Sequence, residues 1–161
     1  MSRPDIGKST VHRLLTKSAG GSRVADEAAE AVLAALMVYI QSAGEKAQER
    51  LKIAKRKTVT EADAVEVFSS ACLGIGRGSL RYNKLATRGI PVAGAERVFK
   101  SAMNKDSRTS DAVKGIIAAA AEAFVAAIGS RAKQVTDLVT KGTRNTIKAR
   151  DVNAALAGAG L

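Results

Sequence analysis

Two stretches of the chain share one pattern and decide how it folds. Residues Arg56 to Phe68 read RKTVTEADAVEVF, and residues Arg144 to Leu156, 88 positions later, read RNTIKARDVNAAL. Both have the form R-x-T-[V/I]-x-x-x-D followed by apolar positions. A second pair begins at Arg23 (RVADEAAEAVLAAL) and, 85 positions later, at Arg108 (RTSDAVKGIIAAAAEAF). Repetition in the same order indicates two copies of one unit, the second with three extra residues between its landmarks.

Each copy predicts a short helix, a long helix and a second short helix joined by loops. In the first copy we expect helices near residues 7–18, from Asp26 to about Lys52, and from about Glu61. Gly20 and Gly21 are typical of a helix end. The stripe expected to be buried on each long helix advances by three or four residues. In the first copy it consists of Leu33, Leu36, Ile40, Ala43, Ala47 and Leu51, and in the second of Val113, Ile117, Ala121, Phe124, Ile128, Ala132, Val135 and Val139.

Capping signals define where the helices begin. Thr60 and Asp63 have the T-x-x-D spacing of a capping box. In the second copy Pro91 suits the first turn of a helix, and Ser110 suits the N-cap of the long helix. Lys148 matches Thr60 in position, so the last helix should lack this side-chain cap.

The stretch between the copies has a different composition. Residues 74–89 read GIGRGSLRYNKLATRG, with four glycines, four basic residues and no acid. We interpret it as a flexible basic linker that can contact a polyanion but contributes nothing to a core. The predicted organisation is therefore a first unit at 1–73, the linker at 74–89 and a second unit at 90–161.

Neither unit can bury its long helix alone. The sequence therefore predicts an all-α fold in which the two units pack on each other as a pseudo-symmetric dimer within one chain.

The charge of the chain suggests a polyanionic partner. The formal net charge is +11, and it divides into +6 for residues 1–89 and +5 for residues 90–161. Because neither half is neutral, the charge belongs to the folded units and not to a basic tail. Nucleic acid is the commonest partner of such proteins.

Other function classes have little support. His12 and Cys72 lie in no nucleophile or metal-ligand pattern, so we expect no catalytic residue, metal, cofactor or small-molecule substrate. The single cysteine excludes an internal disulfide. Met1 to Thr10 is polar, and no uninterrupted apolar run, Ile116 to Ala121 included, is long enough to span a bilayer. We therefore expect an intracellular protein without a membrane partner.

The chain resembles the histone-fold family, specifically histone doublets. The stretch AKRKTVT (54–60) looks like the second loop of a eukaryotic core histone, and RNTIKARDV (144–152) is similar to that of archaeal histones. HRLLTKSAGGSRVADEA (12–28) and ERVFKSAMNKDSRTSDAV (96–113) are similar to the first helix, first loop and start of the long helix. The match extends from about Ile6 to Leu156, apart from the linker. Long basic tails are absent, as in archaeal or compact viral forms.

The resemblance implies a handshake, in which the long helices cross and the first loop of one unit lies beside the second loop of the other. It places Arg23 beside residues 144–146 of the second copy and Arg108 beside residues 56–58 of the first copy. The resemblance places a third DNA contact on the two first helices. The implied DNA-binding residues are Arg13, Arg23, Arg56, Lys57, Thr58, Arg97, Arg108, Arg144, Asn145 and Thr146. It also implies structural salt bridges between Arg56 and Asp63 and between Arg144 and Asp151.

Two departures from the family pattern affect these expectations. Asn145 stands where the first copy has Lys57, so the two DNA-gripping ends should be unequal. Archaeal histones commonly use a histidine three residues before the loop arginine to join one dimer to the next. Here those positions are Ile53 and Lys141, so we expect that contact to be missing or to use different chemistry.

The resemblance implies a non-enzymatic protein that binds duplex DNA irrespective of sequence, bends or wraps it, and can self-associate on it. Such a protein would reside on a chromosome or nucleoid, or in a nucleus or virion. The alternative is a histone-fold subunit of a transcription or replication complex that does not wrap DNA.

Overall fold

The computed structural model of the protein describes residues 5–81, 89–143 and 145–161. Its six helices follow the predicted short–long–short order twice, and four two-residue strands lie in the loops. The elements in chain order are α1 (Lys8–Ser18), β1 (Arg23–Val24), α2 (Asp26–Ala54), β2 (Thr58–Val59), α3 (Glu61–Phe68), α4 (Val92–Ser101), β3 (Arg108–Thr109), α5 (Asp111–Thr140), β4 (Thr146–Ile147) and α6 (Ala149–Gly158).

The local signals in the sequence fix most helix boundaries. Gly20 and Gly21 adopt positive φ directly after α1, which confirms the predicted stop. The Thr60 hydroxyl accepts a hydrogen bond from the Asp63 backbone N–H (3.2 Å), and the Thr60 N–H donates to the Asp63 carboxylate (3.0 Å), so the capping box is present. The Ser110 hydroxyl caps α5 as predicted. Pro91 is the residue before α4, one position earlier than expected.

The last helix keeps half of a capping box. The Lys148 side chain cannot accept a hydrogen bond, as predicted, but its backbone N–H donates to the Asp151 carboxylate (2.9 Å). The hydrogen bond from the N-cap backbone to the Asp151 carboxylate is therefore present, whereas the hydrogen bond to an N-cap side chain is missing.

The two copies pack as an intramolecular handshake. The long helices α2 and α5 contact each other, and all four short helices contact both of them. Because each short helix is shared, the apolar faces of both copies form one continuous core. The predicted pseudo-dimer is confirmed.

Two glycines mark equivalent crossings. At Gly44 an added Cβ would overlap the Phe99 carbonyl oxygen of α4, and at Gly129 it would overlap the Ser18 hydroxyl of α1. These glycines are 85 positions apart, and each lets its long helix approach a first helix of the other copy. A residue without Cβ permits this backbone separation.

An aromatic cluster joins four helices at the centre of the core. Tyr39 of α2 stacks on Phe124 of α5 with ring centroids 4.7 Å apart, and Phe68 of α3 stacks on Phe99 of α4 at 5.6 Å. Tyr39 also contacts Phe68, and its hydroxyl donates to the Phe68 carbonyl oxygen (2.6 Å). Burial raises the pKa of Tyr39, so the hydroxyl stays a donor. All three phenylalanines of the chain thus belong to the contact between copies.

The buried stripes differ from the predicted ones at a few positions. On α2, Val32 is fully buried and Leu33 is only half-buried. On α5, Thr136 is buried whereas Val135 is half-buried and Val139 is 62% exposed. The Thr136 hydroxyl donates to the Ala132 carbonyl oxygen, which satisfies it without water. The buried positions Ala132 and Thr136 are four residues apart. A hydrophobicity pattern alone favours Val135 and Val139 instead.

The extra residues of the second copy are divided between helix and loop. Helix α5 has 30 residues and α2 has 29. Both helices end at a lysine in the left-handed region, Lys55 and Lys141, three residues before β2 but five before β4. Counting from the matched glycines, the helical counterpart of Ile53 is therefore Leu138 and not Lys141. Both are large apolar side chains, exposed by 77% and 81%.

The linker was predicted to contribute nothing to the core, and this is wrong for its described part. Ile75 and Leu80 are 4% and 2% exposed and belong to the core cluster. Ser70 and Ile75 exchange two backbone hydrogen bonds of 2.8 and 2.9 Å, which close a turn before the linker crosses α5. The glycine-rich composition of the linker gave no indication that Ile75 and Leu80 pack into the core. Residues 82–88 lie outside the described residues.

Helix α5 is long and apolar enough to cross a membrane by length and composition alone. An 18-residue window has a mean hydropathy of 1.7, but 67% of that window is buried within the protein. The apolarity of α5 is accounted for by its position in the core, which the short run Ile116 to Ala121 did not indicate.

Asp63 fixes the conformation of the loop before α3. Its carboxylate is 1% exposed and accepts hydrogen bonds from Arg56 (3.0 and 3.2 Å), Arg50 (3.0 Å) and Thr60. The predicted Arg56–Asp63 salt bridge is confirmed, and Arg50 is a partner that sequence analysis missed. Burial by itself would raise the pKa of Asp63, but the hydrogen bonds from Arg56, Thr60 and Arg50 together hold this pKa well below its usual range.

Replacing Gly44 by alanine is expected to lower the free energy of unfolding by about 1–3 kcal/mol, because the new Cβ meets a backbone oxygen that cannot rotate away. Gly129→Ala should cost less, since the Ser18 hydroxyl in its way can turn aside. Urea unfolding measures both values. Gly158→Ala in α6, where a Cβ meets open space, is the matched control and should be neutral or stabilising. Equal losses at Gly44 and Gly158 would refute the close approach.

Asp63→Asn is expected to lower the free energy of unfolding at neutral pH by about 2 kcal/mol, because the buried charge-assisted hydrogen bonds are lost. The folded-state pKa of Asp63 lies below the unfolded value of about 3.9, so this stabilisation is present above that pH and is lost below it. The gap between wild type and variant should therefore narrow as the pH falls below about 4.

Thermal unfolding across this pH range measures the effect. Asp137→Asn, which removes a partly exposed pair with Lys133 (2.8 Å), is the control and should change the free energy of unfolding little. A gap for Asp63→Asn that stays constant into strong acid would show that the carboxylate charge is unimportant.

Candidate nucleic-acid interface

The first loop of each copy pairs with the second loop of the other. Strand β1 runs parallel to β4, with Arg23 opposite Thr146 and Val24 opposite Ile147. The Arg23 N–H donates to the Asn145 carbonyl oxygen (3.0 Å). The register predicted for Arg23 with Asn145 and Thr146 is thus observed. Arg144 lies outside the described residues, and so does its predicted salt bridge with Asp151.

The second loop pair has the same construction. Strand β2 runs parallel to β3, with Thr58 opposite Arg108 and Val59 opposite Thr109. The Arg108 N–H donates to the Lys57 carbonyl oxygen (2.8 Å). In both pairs the apolar residue of the second loop, Val59 or Ile147, is fully buried and anchors the strand to the core.

The loop arginines point their charge to solvent. Arg23 and Arg108 are exposed, and neither forms an ion pair with any residue in 5–81, 89–143 or 145–161. Two equivalent guanidinium groups are therefore available to an anionic ligand at paired loops.

The other predicted cations differ in how free they are. Arg56 is held by Asp63 and also donates to the Thr58 carbonyl oxygen (3.2 Å), so it shapes the loop. Lys57 forms an exposed pair with Asp106 (3.4 Å). Such an exposed pair contributes about 0–1 kcal/mol and is easily exchanged for another anion.

The first helices contribute unequally. Arg97 of α4 donates to the Asp5 carboxylate (2.7 Å), so its charge is partly neutralised. Arg13 of α1 is exposed and has no ion-pair partner among the described residues.

Sequence analysis missed two buried serines that support the loop arginines. Ser22 is 3% exposed and donates to the Asn145 side-chain oxygen (2.9 Å), and Ser107 is 4% exposed and donates to the Gln48 side-chain oxygen (2.7 Å). The Gln48 oxygen also accepts from the Asn104 N–H (3.1 Å). The signal was available, because a serine directly precedes the loop arginine in both copies. Asn145, which was predicted to contact DNA, therefore also has a structural contact within the protein.

The two loop pairs lie at opposite ends of the long helices. Strand β1 precedes α2 and pairs with β4, which follows α5, whereas β2 follows α2 and pairs with β3, which precedes α5. Helix α2 has 29 residues, so at 1.5 Å per residue about 43 Å separates its ends. The molecule therefore presents two similar cationic loop pairs about this far apart.

Comparisons with known proteins agree with this architecture. The profile of the family described as histone-like transcription factor (CBF/NF-Y) and archaeal histone matches residues 5–66 and 88–156, well over half of the chain. The crystal structure of the histone from Methanopyrus kandleri is similar with a TM-score of 0.72 and 18% sequence identity, covering 97% of this chain and 99% of that chain. At this identity the similarity concerns the fold. No curated protein sequence matches the chain.

The family profile matches twice, once in each copy, so the chain contains two histone folds in tandem. It belongs to the family of histone-like transcription factors (CBF/NF-Y) and archaeal histones.

Proposed function

We propose that this histone doublet binds duplex DNA without reading its sequence and bends or wraps it into a compact, nucleosome-like particle. The observation that carries the proposal is the equivalent placement of Arg23 and Arg108. Each is exposed on a strand pair, and no described carboxylate neutralises either. The location that follows is on the chromosome or nucleoid, and an enzymatic role has no place in it.

The chemistry of the loop pairs suits a DNA backbone. A guanidinium group matches phosphate geometry and can enter a narrow minor groove. The hydroxyls of Thr58 and Thr146 and nearby backbone N–H groups can donate to phosphate oxygens, contacts that carry no sequence information. Asn145 and Lys57 complete the two unequal grips, with the latter exchanging Asp106 for phosphate.

The spacing of the grips favours bending. The minor groove faces the same side of a duplex about every 10 base pairs, or roughly 34 Å of straight helix. A separation of about 43 Å matches neither one turn (about 34 Å) nor two turns (about 68 Å) of straight duplex, so a duplex that presents its minor groove to both loop pairs has to bend. Arg13 and Arg97 on the first helices supply a third contact, for which Arg97 releases Asp5.

The double variant Arg23→Glu/Arg108→Glu is expected to weaken duplex binding at least tenfold, because two phosphate or groove contacts are replaced by repulsion. The slope of log affinity against log salt should fall in magnitude by about 2, since roughly 0.9 counterion is released per phosphate contact. Gel retardation or fluorescence anisotropy across a salt titration measures both.

The matched control is Lys46→Glu/Lys133→Glu, which makes the same change in net charge on the long helices away from the loops. This control should weaken DNA binding less than the loop variant does. It should also change the slope of log affinity against log salt by less. If the loop variant binds DNA as tightly as the wild type, Arg23 and Arg108 do not belong to the DNA-binding site. A wild-type protein with weak, salt-insensitive DNA binding would favour the alternative, an interaction subunit that does not wrap DNA.

We also propose that doublets associate end to end on DNA. Ile53 and Leu138 are exposed by 77% and 81% and lie near the C-terminal ends of α2 and α5, hence at opposite ends of the molecule. Val139 adds a second exposed apolar side chain beside Leu138. Apolar contacts at these positions would replace the histidine contact that the sequence lacks, and a heterologous contact of this kind extends into a chain.

Ile53→Ser/Leu138→Ser is expected to shorten the DNA fragments protected from nuclease in reconstituted complexes, because neighbouring doublets no longer stack. Affinity for a duplex that accommodates a single doublet should stay unchanged. Val38→Ser, which removes an exposed apolar side chain elsewhere on α2, serves as the control. An unaltered ladder of protected lengths in the double variant would rule out these contacts.

A further inference from the structure

The outer faces of the two long helices are covered unequally. On α5, Ile116 and Ala119 are 7% and 5% exposed. Their counterparts on α2, counted from the matched glycines, are the half-buried Ala31 and the exposed Ala34. One turn further along α2, Val38 is 61% exposed.

The difference arises from the segment that connects the two copies. Residues Ile75 to Arg81, the covering segment, lie against α5, where Leu80 and Arg81 line cavities that also include Ile116 and Ala119. Leu80 is 2% exposed and lines a cavity together with Val65 of α3 and Ile116 of α5. At the start of this path the Arg131 side chain of α5 donates to the Cys72 carbonyl oxygen. The connection between the copies therefore uses an aliphatic anchor, Leu80 of the covering segment, and a cation that binds the backbone at Cys72, three residues before that segment.

The corresponding face of α2 is an open groove. A cavity of about 640 Å³ lies between α2, the end of α3 and α6, with an apolar lining that includes Ala34, Val38, Leu73 and Leu156. No residue within 5–81, 89–143 or 145–161 crosses it. Its volume falls in the range of about 300–1,000 Å³ that binding pockets occupy.

The groove also has the counterpart of the cation. Lys46, 85 positions before Arg131, lies at its edge, is exposed, and forms no ion pair with the described residues. Two-fold pseudo-symmetry creates two such faces, but one chain has only one connection to cover them. The α2 groove is thus the uncovered equivalent of a site that already binds a peptide segment.

We propose that the α2 groove binds a segment of a partner protein with the chemistry of the covering segment: an aliphatic side chain on a glycine- and serine-containing backbone. The aliphatic side chain fills the groove, and Lys46 donates to a backbone carbonyl oxygen of the partner, as Arg131 does to Cys72. DNA does not suit an apolar lining. A second copy is a poor occupant, because its own Leu80 is already buried against α5.

A synthetic peptide with the sequence of Ile75 to Arg81 (IGRGSLR) is the probe. Added to the intact doublet, it is expected to shift the methyl NMR resonances of Ala34 and Val38, with a dissociation constant on the order of 1 mM. Resonances of Ile116, whose face is already covered, should stay unchanged. A peptide carrying Leu80→Asp should leave the spectrum unchanged, because it lacks the anchor.

Ala34→Arg should abolish the peptide-induced shifts by filling the groove, whereas the matched Ala34→Ser should preserve them. Ala34 is exposed, so thermal unfolding of both variants should match wild type, and duplex DNA affinity should stay within about twofold. Three results would overturn the proposal: absence of shifts at several times the expected dissociation constant, equal shifts with the Leu80→Asp peptide, or groove shifts that depend on protein concentration without peptide. The last would identify a second copy as the occupant.

Discussion

Each long helix depends on the other copy to bury its apolar face. A short–long–short unit has too few side chains to cover a helix of 29 or 30 residues, and the four short helices solve this by packing on both long helices at once. The aromatic cluster and the close approaches at Gly44 and Gly129 lie on this shared surface. The requirement for mutual burial therefore determines the crossing of the helices and, through it, the positions of the loops.

The loops are paired because the helices cross. With α2 and α5 fixed, the start of each lies beside the end of the other, and two residues of parallel strand suffice to join them. Polar side chains then hold each loop from within: Asp63 gathers Arg56, Arg50 and Thr60, while Ser22 and Ser107 are buried beneath Arg23 and Arg108. Holding the backbone in this way leaves the guanidinium groups of Arg23 and Arg108 without an ion-pair partner among the described residues, which is what the proposed DNA contact requires.

Among the described residues, three departures from two-fold symmetry bear on the proposed binding surfaces. The loop before β4 is longer than the loop before β2, Lys57 has Asp106 as a neighbour, and the covering segment lies on α5 alone. A single chain can vary its two halves independently as long as the shared core is kept, because surface changes cost little stability. The proposed unequal DNA grips and the proposed peptide groove both follow from this freedom.

The sequence alone predicts the two repeated units, the order of the helices, the capping at Thr60 and Ser110 and the candidate loop arginines, because these depend on local spacing and on repetition. It misplaced Val139 and the role of residues 75–81, and it missed Arg50 and the buried serines. Which side chains face the other copy depends on how the helices cross, since the partners of Ser22, Gln48 and Leu80 are distant in sequence. Local patterns record a helix and its polar face, whereas burial of a particular residue depends on what the crossing of two helices brings against it.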